Sequence, residues 1–591
     1  MNKLTRKCVA AIASLAMAGT LCVAGAVTMA SVAWGSPHPV VHQDPVSQEP
    51  WGQHLPNAPY SITIVNCDAK ADTSAASGST TTKCDTNHKP LTGAEFKLTP
   101  IKKIGDTELN ADAFKNAETW AKIAETIDAL NRGDEKAAKI VLDTDTSTIK
   151  TQTVGNTGEA KFEQVPLGFY KVEETKMPTG NYGANDMTVF YMTLPQIERK
   201  QKKDDNTKID TNYNYNPVVK IKNKDLSSAI TKVFSTEKGS NAVSTKDDFK
   251  YVISSEVNHP TGTLDANSIQ DYMVFDDAPT EAFDFTDTSK IVESVKIGEG
   301  DGATALTKDT DYSVSIVDSE SADGGKNLAT GHKRILVKFT EAGLGKIATA
   351  LNGAVKAKKT DEPKVHVTVS FKLSEAYKGN AGNKNEIKNK SGFFKSHPSN
   401  ATKDPDPIVS GDDDKGTSTV KFGFLQVDKH DKTTTTTKLS GAVFKIFNSE
   451  AKAEACKAAL LKRSAGSTDV PTECSDGASK NFAGTTDGRG KFATDQKVIA
   501  GRMVYLVEVT APTDYALANE VRGVTVEEGK TTTVDFPNTK ISDLKIDTWF
   551  NLPATGATGV ILFALAGMGL IAASVFLYMR NRKEEEQQAK A

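Results

Sequence analysis

Apolar and polar residues alternate with a period of two through much of this chain. Val365-His366-Val367-Thr368-Val369-Ser370-Phe371 is a clear run. Strands of this kind bury one face and leave the other to solvent. Gly, Asn and Asp turns break such runs at short intervals, which is the pattern of antiparallel sandwiches. Two stretches echo each other. Leu91-Thr92-Gly93-Ala94-Glu95-Phe96-Lys97-Leu98 parallels Leu439-Ser440-Gly441-Ala442-Val443-Phe444-Lys445-Ile446, and residues 158–178 parallel 488–512. Internal repetition of this sort marks repeated structural units. It defines a first domain at 58–217 and a third at 418–541. Residues 224–400 alternate as well but lack the Gly-Ala-x-Phe element, so the middle domain is predicted to be a sandwich of another subtype. Residues 404–416, rich in Asp and Pro, read as a linker. One helix is predicted, over 110–142, with Trp120, Ile123, Ile127 and Leu130 on one face. The fold class is therefore mainly β, with tandem Ig-like sandwiches and one helix in the first domain.

The two ends carry different patterns. Lys3, Arg6 and Lys7 precede an apolar run from Cys8 to Ala33, with small-residue sites at Thr28-Met29-Ala30 and Ser31-Val32-Ala33. A basic head, an apolar body and small residues predict a cleaved export signal over 1–33. Residues 34–57 then read as a flexible leader, in which His38 and His42 are solvated. At the far end, residues 559–578 are apolar and long enough to span a hydrocarbon core of about 30 Å. Arg580, Arg582 and Lys583 follow and hold the tail on the cytoplasmic side.

Composition adds three points. With 591 residues the chain has room for several domains, and a net charge of −3 argues against nucleic acid as a partner. Cys8 and Cys22 leave with the signal, so an exported chain keeps Cys67, Cys84, Cys456 and Cys474. These form two close pairs, Cys67–Cys84 and Cys456–Cys474, suited to disulfides. No His pair at ligand spacing accompanies them, so no metal and no cofactor is expected.

Leu552-Pro553-Ala554-Thr555-Gly556 lies just before the apolar span. This order of pentapeptide, apolar span and basic tail resembles the LPXTG cell-wall sorting signal of Gram-positive bacteria. The resemblance implies a sortase substrate. A sortase cysteine attacks the carbonyl of Thr555, holds the chain as a thioester and yields it to an amine.

The repeated elements resemble the CnaB-type domains of Gram-positive backbone pilins, and that resemblance covers most of the mature chain. It implies two chemistries. In the first, a lysine near the end of the first domain accepts the thioester of the next subunit. Tyr213-Asn214-Tyr215-Asn216-Pro217-Val218-Val219-Lys220-Ile221-Lys222-Asn223 is a degenerate match to the family motif, with Lys222 at the lysine position and Lys220 as the alternative. The second is an internal Lys–Asn isopeptide bond promoted by a buried acid. In the middle domain the matching residues are Lys232, Asn389 and Asp276, with Asp277 competing for the acid's place. In the third domain Glu508 and Asn538 match, but Gln426 stands at the lysine position. Lys421 and Lys429 each lie an odd number of residues from Gln426, so on a regular strand they face the other way. In the first domain Glu174 matches, while Asn66 stands where a lysine is expected, and no bond is predicted.

The resemblance thus implies the major shaft subunit of a covalent pilus, anchored to the wall and supporting adhesion. Its partners would be pilus-type and housekeeping sortases, head-to-tail copies of itself, a peptidoglycan precursor, minor pilins and a host ligand the sequence does not name. A monomeric wall-anchored adhesin and a minor pilus subunit are the alternatives. No phosphate loop, metal cluster or Ser-His-Asp arrangement points to an enzyme, and His366 within its strand reads as structural.

Overall fold

A computed structural model describes residues 59–543, apart from several short stretches of which 70–83 is the longest, together with Pro50. The signal peptide, nearly all of the leader, the pentapeptide Leu552 to Gly556 and the apolar span 559–578 lie outside the described residues. Among the described residues no helix is long and apolar enough to cross a membrane.

The first sandwich is built from β1 (Ser61–Ala69), β2 (Glu95–Ile104), β3 (Glu159–Glu163), β4 (Gly168–Lys176), β5 (Tyr182–Asn185), β6 (Val189–Leu194) and β7 (Val218–Asp225). One sheet runs β3-β1-β7-β5, and the other places β4 between β2 and β6. Alternate residues of both, among them Ile62, Ile64, Phe96, Leu98, Val172, Val219 and Ile221, meet in one core. β1 and β7 are parallel neighbours, with Asp68 opposite Asn223. The domain therefore runs through β7 rather than ending at 217. Residues 218–224 find their partners in β1, and Val219 and Ile221 bury there.

The helix of this domain, α1, spans Ala117–Asn131 and is shorter than the predicted 110–142. Asn116 accepts the Glu118 N–H at 2.9 Å and so marks its start. Ile140–Leu142 is instead an edge strand paired with β2. Trp120, Ile123, Ile127 and Leu130 do bury together, against Phe169 and Tyr191.

The middle sandwich contains β8 (Ile230–Phe234), β9 (Phe249–Ser255), β10 (Met273–Pro279), β11 (Val292–Ile297), β12 (Tyr312–Val317), β13 (His332–Phe339), β14 (Val365–Phe371) and β15 (Glu386–Phe394), with helix α2 (Glu341–Lys356). Its sheets run β8-β9-β14-β11 and β12-β13-β10-β15. The third domain contains β16 (Thr417–Asp431), β17 (Val443–Phe447), α3 (Glu450–Leu461), β18 (Gln496–Ile499), β19 (Met503–Thr510), β20 (Val521–Thr525) and β21 (Thr531–Asn538). So the first domain does not hold the only helix. Ala dilutes the apolar stripe of α3, whereas α2 carries a stripe of Leu344, Ile347 and Leu351 as strong as that of α1 and was overlooked between its strands.

β16 belongs to two sandwiches. Its residues 417–421 pair with β15, and residues 424–431 pair in parallel with β21. Val420 and Phe422 bury in the middle core, whereas Leu425 and Val427 bury in the third. The crossover falls at Gly423, where an added Cβ would lie 2.1 Å from the Glu527 carbonyl. The stretch 404–416 is not a free linker either. Lys395, buried, pairs with Asp404 at 2.5 Å and donates to the Gly180 carbonyl of the first domain at 3.0 Å. Ile408–Val409 pairs with β15. Extended Ile and Val have apolar surface to bury, and here they bury it on a sheet edge.

Gly423→Val is expected to overpack this crossing and destabilise the third domain by about 1–3 kcal/mol. Lys421→Ala, on the exposed side of the same strand, should change little. Thermal unfolding of the two variants distinguishes the outcomes.

Candidate functional site

In the middle domain, β8 carries Lys232, β10 carries Asp276 and β15 carries Asn389, and all three are buried. β10 and β15 are neighbours in one sheet, while β8 comes from the facing sheet, so the group bridges the sandwich. Lys232 Nζ lies 2.5 Å from Asp276 Oδ2 and donates to the Lys390 carbonyl at 3.0 Å. Asn389 Nδ2 approaches the same Asp276 oxygen at 3.4 Å. Loss of hydration disfavours both charges. Burial lowers the Lys232 ammonium to about 8, against the pull of Asp276, and raises Asp276 to about 6. The opposite movements reduce the cost of handing a proton from amine to acid. Among the described residues, Asp276 Oδ1 and Asn389 Oδ1 have no hydrogen-bond partner. A protonated Asp276 gains a donor, which is what an orphaned carbonyl oxygen requires.

Asp277 does not compete. On a strand it faces the other way, where Arg334 grips it with Nε at 2.7 Å and Nη2 at 2.9 Å.

In the third domain the lysine is Lys429, not Gln426. The two do face opposite sides of β16, as strand parity requires, but the core side is that of Leu425, Val427 and Lys429. Lys429 Nζ, fully buried, contacts Asn538 Oδ1, lies 3.2 Å from Glu508 Oε1 and donates to the Phe536 carbonyl at 2.9 Å. Asn538 Nδ2 donates to both oxygens of Glu508, at 3.0 and 2.8 Å. Burial lowers the Lys429 ammonium and raises the Glu508 carboxyl from their ordinary values. Gln426 is buried on the opposite face. It receives the Phe492 N–H at 2.7 Å and returns a bond to the Phe492 carbonyl at 3.1 Å, which fixes a loop rather than a covalent link.

The first domain repeats this frame with one member changed. β1 and β7 match β16 and β21 in register, since Asp68 faces Asn223 as Asp431 faces Asn538. Asn66 therefore occupies the place of Lys429, and Asn223 that of Asn538. Asn223 Nδ2 donates to Glu174 Oε1 at 3.0 Å. Asn66 is fully buried, and among the described residues neither polar atom of its side chain has a hydrogen-bond partner. A carboxamide in this place supplies no nucleophilic amine.

Lys222 lies beside Asn223 on β7 but faces away from the core and is half-buried. Its strand neighbour on β1 is Cys67. Its Nζ stands 3.2 Å from His88 Nε2. Lys220, two residues earlier, shares that face and lies opposite Val65. Cys67–Cys84 and Cys456–Cys474 are both closed, the second tying α3 to the turn Thr472–Cys474. Each short loop closed in this way contributes about 3 kcal/mol in the chain-entropy view. His366 contacts the Ser254 hydroxyl at 2.8 Å within its sheet, and burial lowers its ring below the ordinary value. Among the described residues no group of three or more His, Cys, Asp or Glu is placed to hold a metal ion.

Among known families, the SpaA prealbumin-like fold domain matches residues 78–208 and 423–540, and the LPXTG cell wall anchor motif matches residues 550–586. The fimbrial subunit type 1 of Actinomyces viscosus is 26% identical over 555 residues, 89% of this chain and 91% of that protein. The fimbrial subunit type 2 of Actinomyces naeslundii is 26% identical over 521 residues, 84% of each. Among solved structures, the fimbrial protein FimP of Actinomyces oris aligns with TM-score 0.43 and 18% identity, over 82% of this chain and 99% of its own. The full-length major pilin SpaD of Corynebacterium diphtheriae aligns with TM-score 0.36 and 22% identity, over 81% and 97%. Sandwich repeats followed by an LPXTG anchor define a wall-anchored surface protein of a Gram-positive bacterium. Within that class, the chain is a wall-anchored fimbrial subunit, and its LPXTG motif makes it a sortase substrate.

Closing a Lys–Asn bond expels one ammonia. The intact mass of the mature protein is expected to fall short by two ammonia beyond the disulfide hydrogens, one each for Lys232–Asn389 and Lys429–Asn538. Asp276→Ala and Glu508→Ala should each restore one. Asn66→Lys should add a third deficit, with peptide mapping finding the introduced amine linked to Asn223.

Proposed function

We propose that this chain is the repeating shaft subunit of the pilus, joined copy to copy by an amide between Lys222 and Thr555 of the next copy. In the same reading, bonds Lys232–Asn389 and Lys429–Asn538 close the middle and third domains. The carrying observation is where complete lysine–acid–asparagine groups occur relative to Lys222. Tension in such a fibre enters at Lys222 and leaves at Thr555, so it crosses only the two domains that hold complete groups. The first sandwich precedes Lys222 almost entirely, and it is the one whose lysine place holds Asn66.

The chemistry follows from burial. A neutral Lys232 or Lys429 amine attacks the asparagine Cγ while the protonated acid polarises its carbonyl. The acid then returns a proton to the leaving ammonia, and an amide remains. These carboxyls act once and in cis, so the chain has a structural role without turnover. Polymer growth needs a pilus-type sortase as acyl carrier. A housekeeping sortase would then transfer the last copy to a peptidoglycan precursor, with minor pilins and a host ligand as further partners. A head-to-tail join between unlike patches does not close on itself and gives a fibre.

Lys222→Arg should abolish the high-mass ladder of wall extracts on a denaturing gel, while Lys220→Arg leaves it intact. A Thr555–Lys222 branched peptide in the wild-type digest identifies the join directly. A ladder that survives Lys222→Arg, with no branched peptide, would leave a monomeric adhesin as the better reading.

A further inference from the structure

Beside Lys222 stands a buried histidine, His88, that the isopeptide chemistry does not use. His88 Nδ1 lies 2.7 Å from the Asp68 carbonyl and 3.5 Å from Asp68 Oδ1. A carbonyl can only accept, so Nδ1 carries the hydrogen, and Nε2 presents a lone pair. That lone pair belongs to the atom 3.2 Å from Lys222 Nζ. His88 itself is 8% exposed, so its ring is held in place rather than sampling solvent.

The ring is fixed from several directions. The Lys89 N–H donates to Asp68 Oδ1 at 2.6 Å, and Asp68 N–H donates to the Lys89 carbonyl at 2.9 Å. Leu91 N–H bonds to the Asn66 carbonyl at 2.9 Å, and Pro90 bridges to Cys67. The segment with His88 is thus laid along β1. The Cys67–Cys84 disulfide fastens it there again, four residues before His88 and directly beside Lys222 in register.

We infer that His88 is the proton acceptor that turns Lys222 into a nucleophile, oriented by Asp68 and held by the Cys67–Cys84 clip. This rests on the reading of Lys222 as the polymerising amine. An ammonium has no lone pair, so it must shed a proton before it attacks the thioester that joins Thr555 to the sortase cysteine. Lys222 passes that proton to His88 Nε2. The amine adds to the carbonyl carbon, and collapse of the tetrahedral adduct breaks the carbon–sulfur bond. The nitrogen loses a second proton as the amide forms. One of the two protons ends on the departing cysteine thiolate and the other passes from His88 to water. The products are the amide, the free thiol and one released proton.

The test uses the full mature protein with its disulfides intact, a pilus-type sortase and a peptide containing Leu-Pro-Ala-Thr-Gly as acyl donor. Amide formation at Lys222 is followed by mass spectrometry. General-base assistance is commonly worth about 10²-fold or more. His88→Ala should therefore lower the rate at saturating peptide by about 10²-fold, with KM little changed, and added imidazole should restore a substantial part of it. His88→Gln, which keeps a polar side chain but cannot take the proton, should be as slow as His88→Ala. Wild-type rates for both variants, with Lys222→Arg inactive, would overturn the role of His88 and leave Lys222 standing. A slow His88→Ala that imidazole does not restore, beside a fast His88→Gln, would reduce His88 to packing. Undiminished coupling in Lys222→Arg would instead refute the reading on which the role depends.

Discussion

A lysine, a carboxyl and a carboxamide held together out of water are the constraint on which the rest of this molecule turns. Each is costly to bury alone, and an isolated charge in the core would shift its proton equilibrium or unfold the site. Together they offer a way out, because the amine and the carboxamide become one neutral amide on loss of ammonia. The parallel pairing of the first and last strands supplies the geometry in the third domain. Lys429 stands opposite Phe536, one core-facing step from Asn538, with Glu508 reaching in from the other sheet. The middle domain reaches the same end across its two sheets, so a shared frame is not required.

Much of this was legible in the sequence. Period-two alternation and the Gly-Ala-x-Phe repeat marked the sandwiches, and Lys232, Asp276 and Asn389 lay where the family pattern places them. The third-domain lysine was not legible. With Gln426 taken to mark the core face of β16, parity excluded Lys429. Parity itself holds, since Gln426 and Lys429 both lie past Gly423 on one regular stretch of β16. The misreading was of which face is the core's: Leu425 and Val427 bury in the third core, so Lys429 shares their side and Gln426 does not. The edge strands Ile140–Leu142 and Ile408–Val409 were missed for a different reason. Two or three residues carry too little periodicity to declare themselves, and only their neighbours decide their conformation.

The position of Lys222 shows how one strand serves two purposes. Successive side chains of β7 point to opposite faces. Asn223 therefore lies in the core with Glu174, while Lys222 is turned outward to His88. A lysine turned inward would be desolvated and pulled into the internal chemistry. One turned outward without a neighbour would be an ordinary solvated ammonium. The half-buried site beside the disulfide lies between these limits, where an amine can be both reachable and assisted.

In the fibre proposed above, joined through Lys222 and Thr555, tension accounts for the one sandwich left without a complete group. With amides at Lys232–Asn389 and Lys429–Asn538, a pull between Lys222 and Thr555 follows β7 to Lys232, crosses to Asn389 and runs through β15 and β16 to Lys429. It then crosses to Asn538 and leaves toward the wall. Residues between each bonded pair hang outside that path, so their sheets are not unzipped by the force. Everything before Lys222 also hangs outside it, including β1 to β6. A Lys–Asn amide there would resist no load in the fibre, and Asn66 in place of lysine removes nothing that the assembled shaft needs.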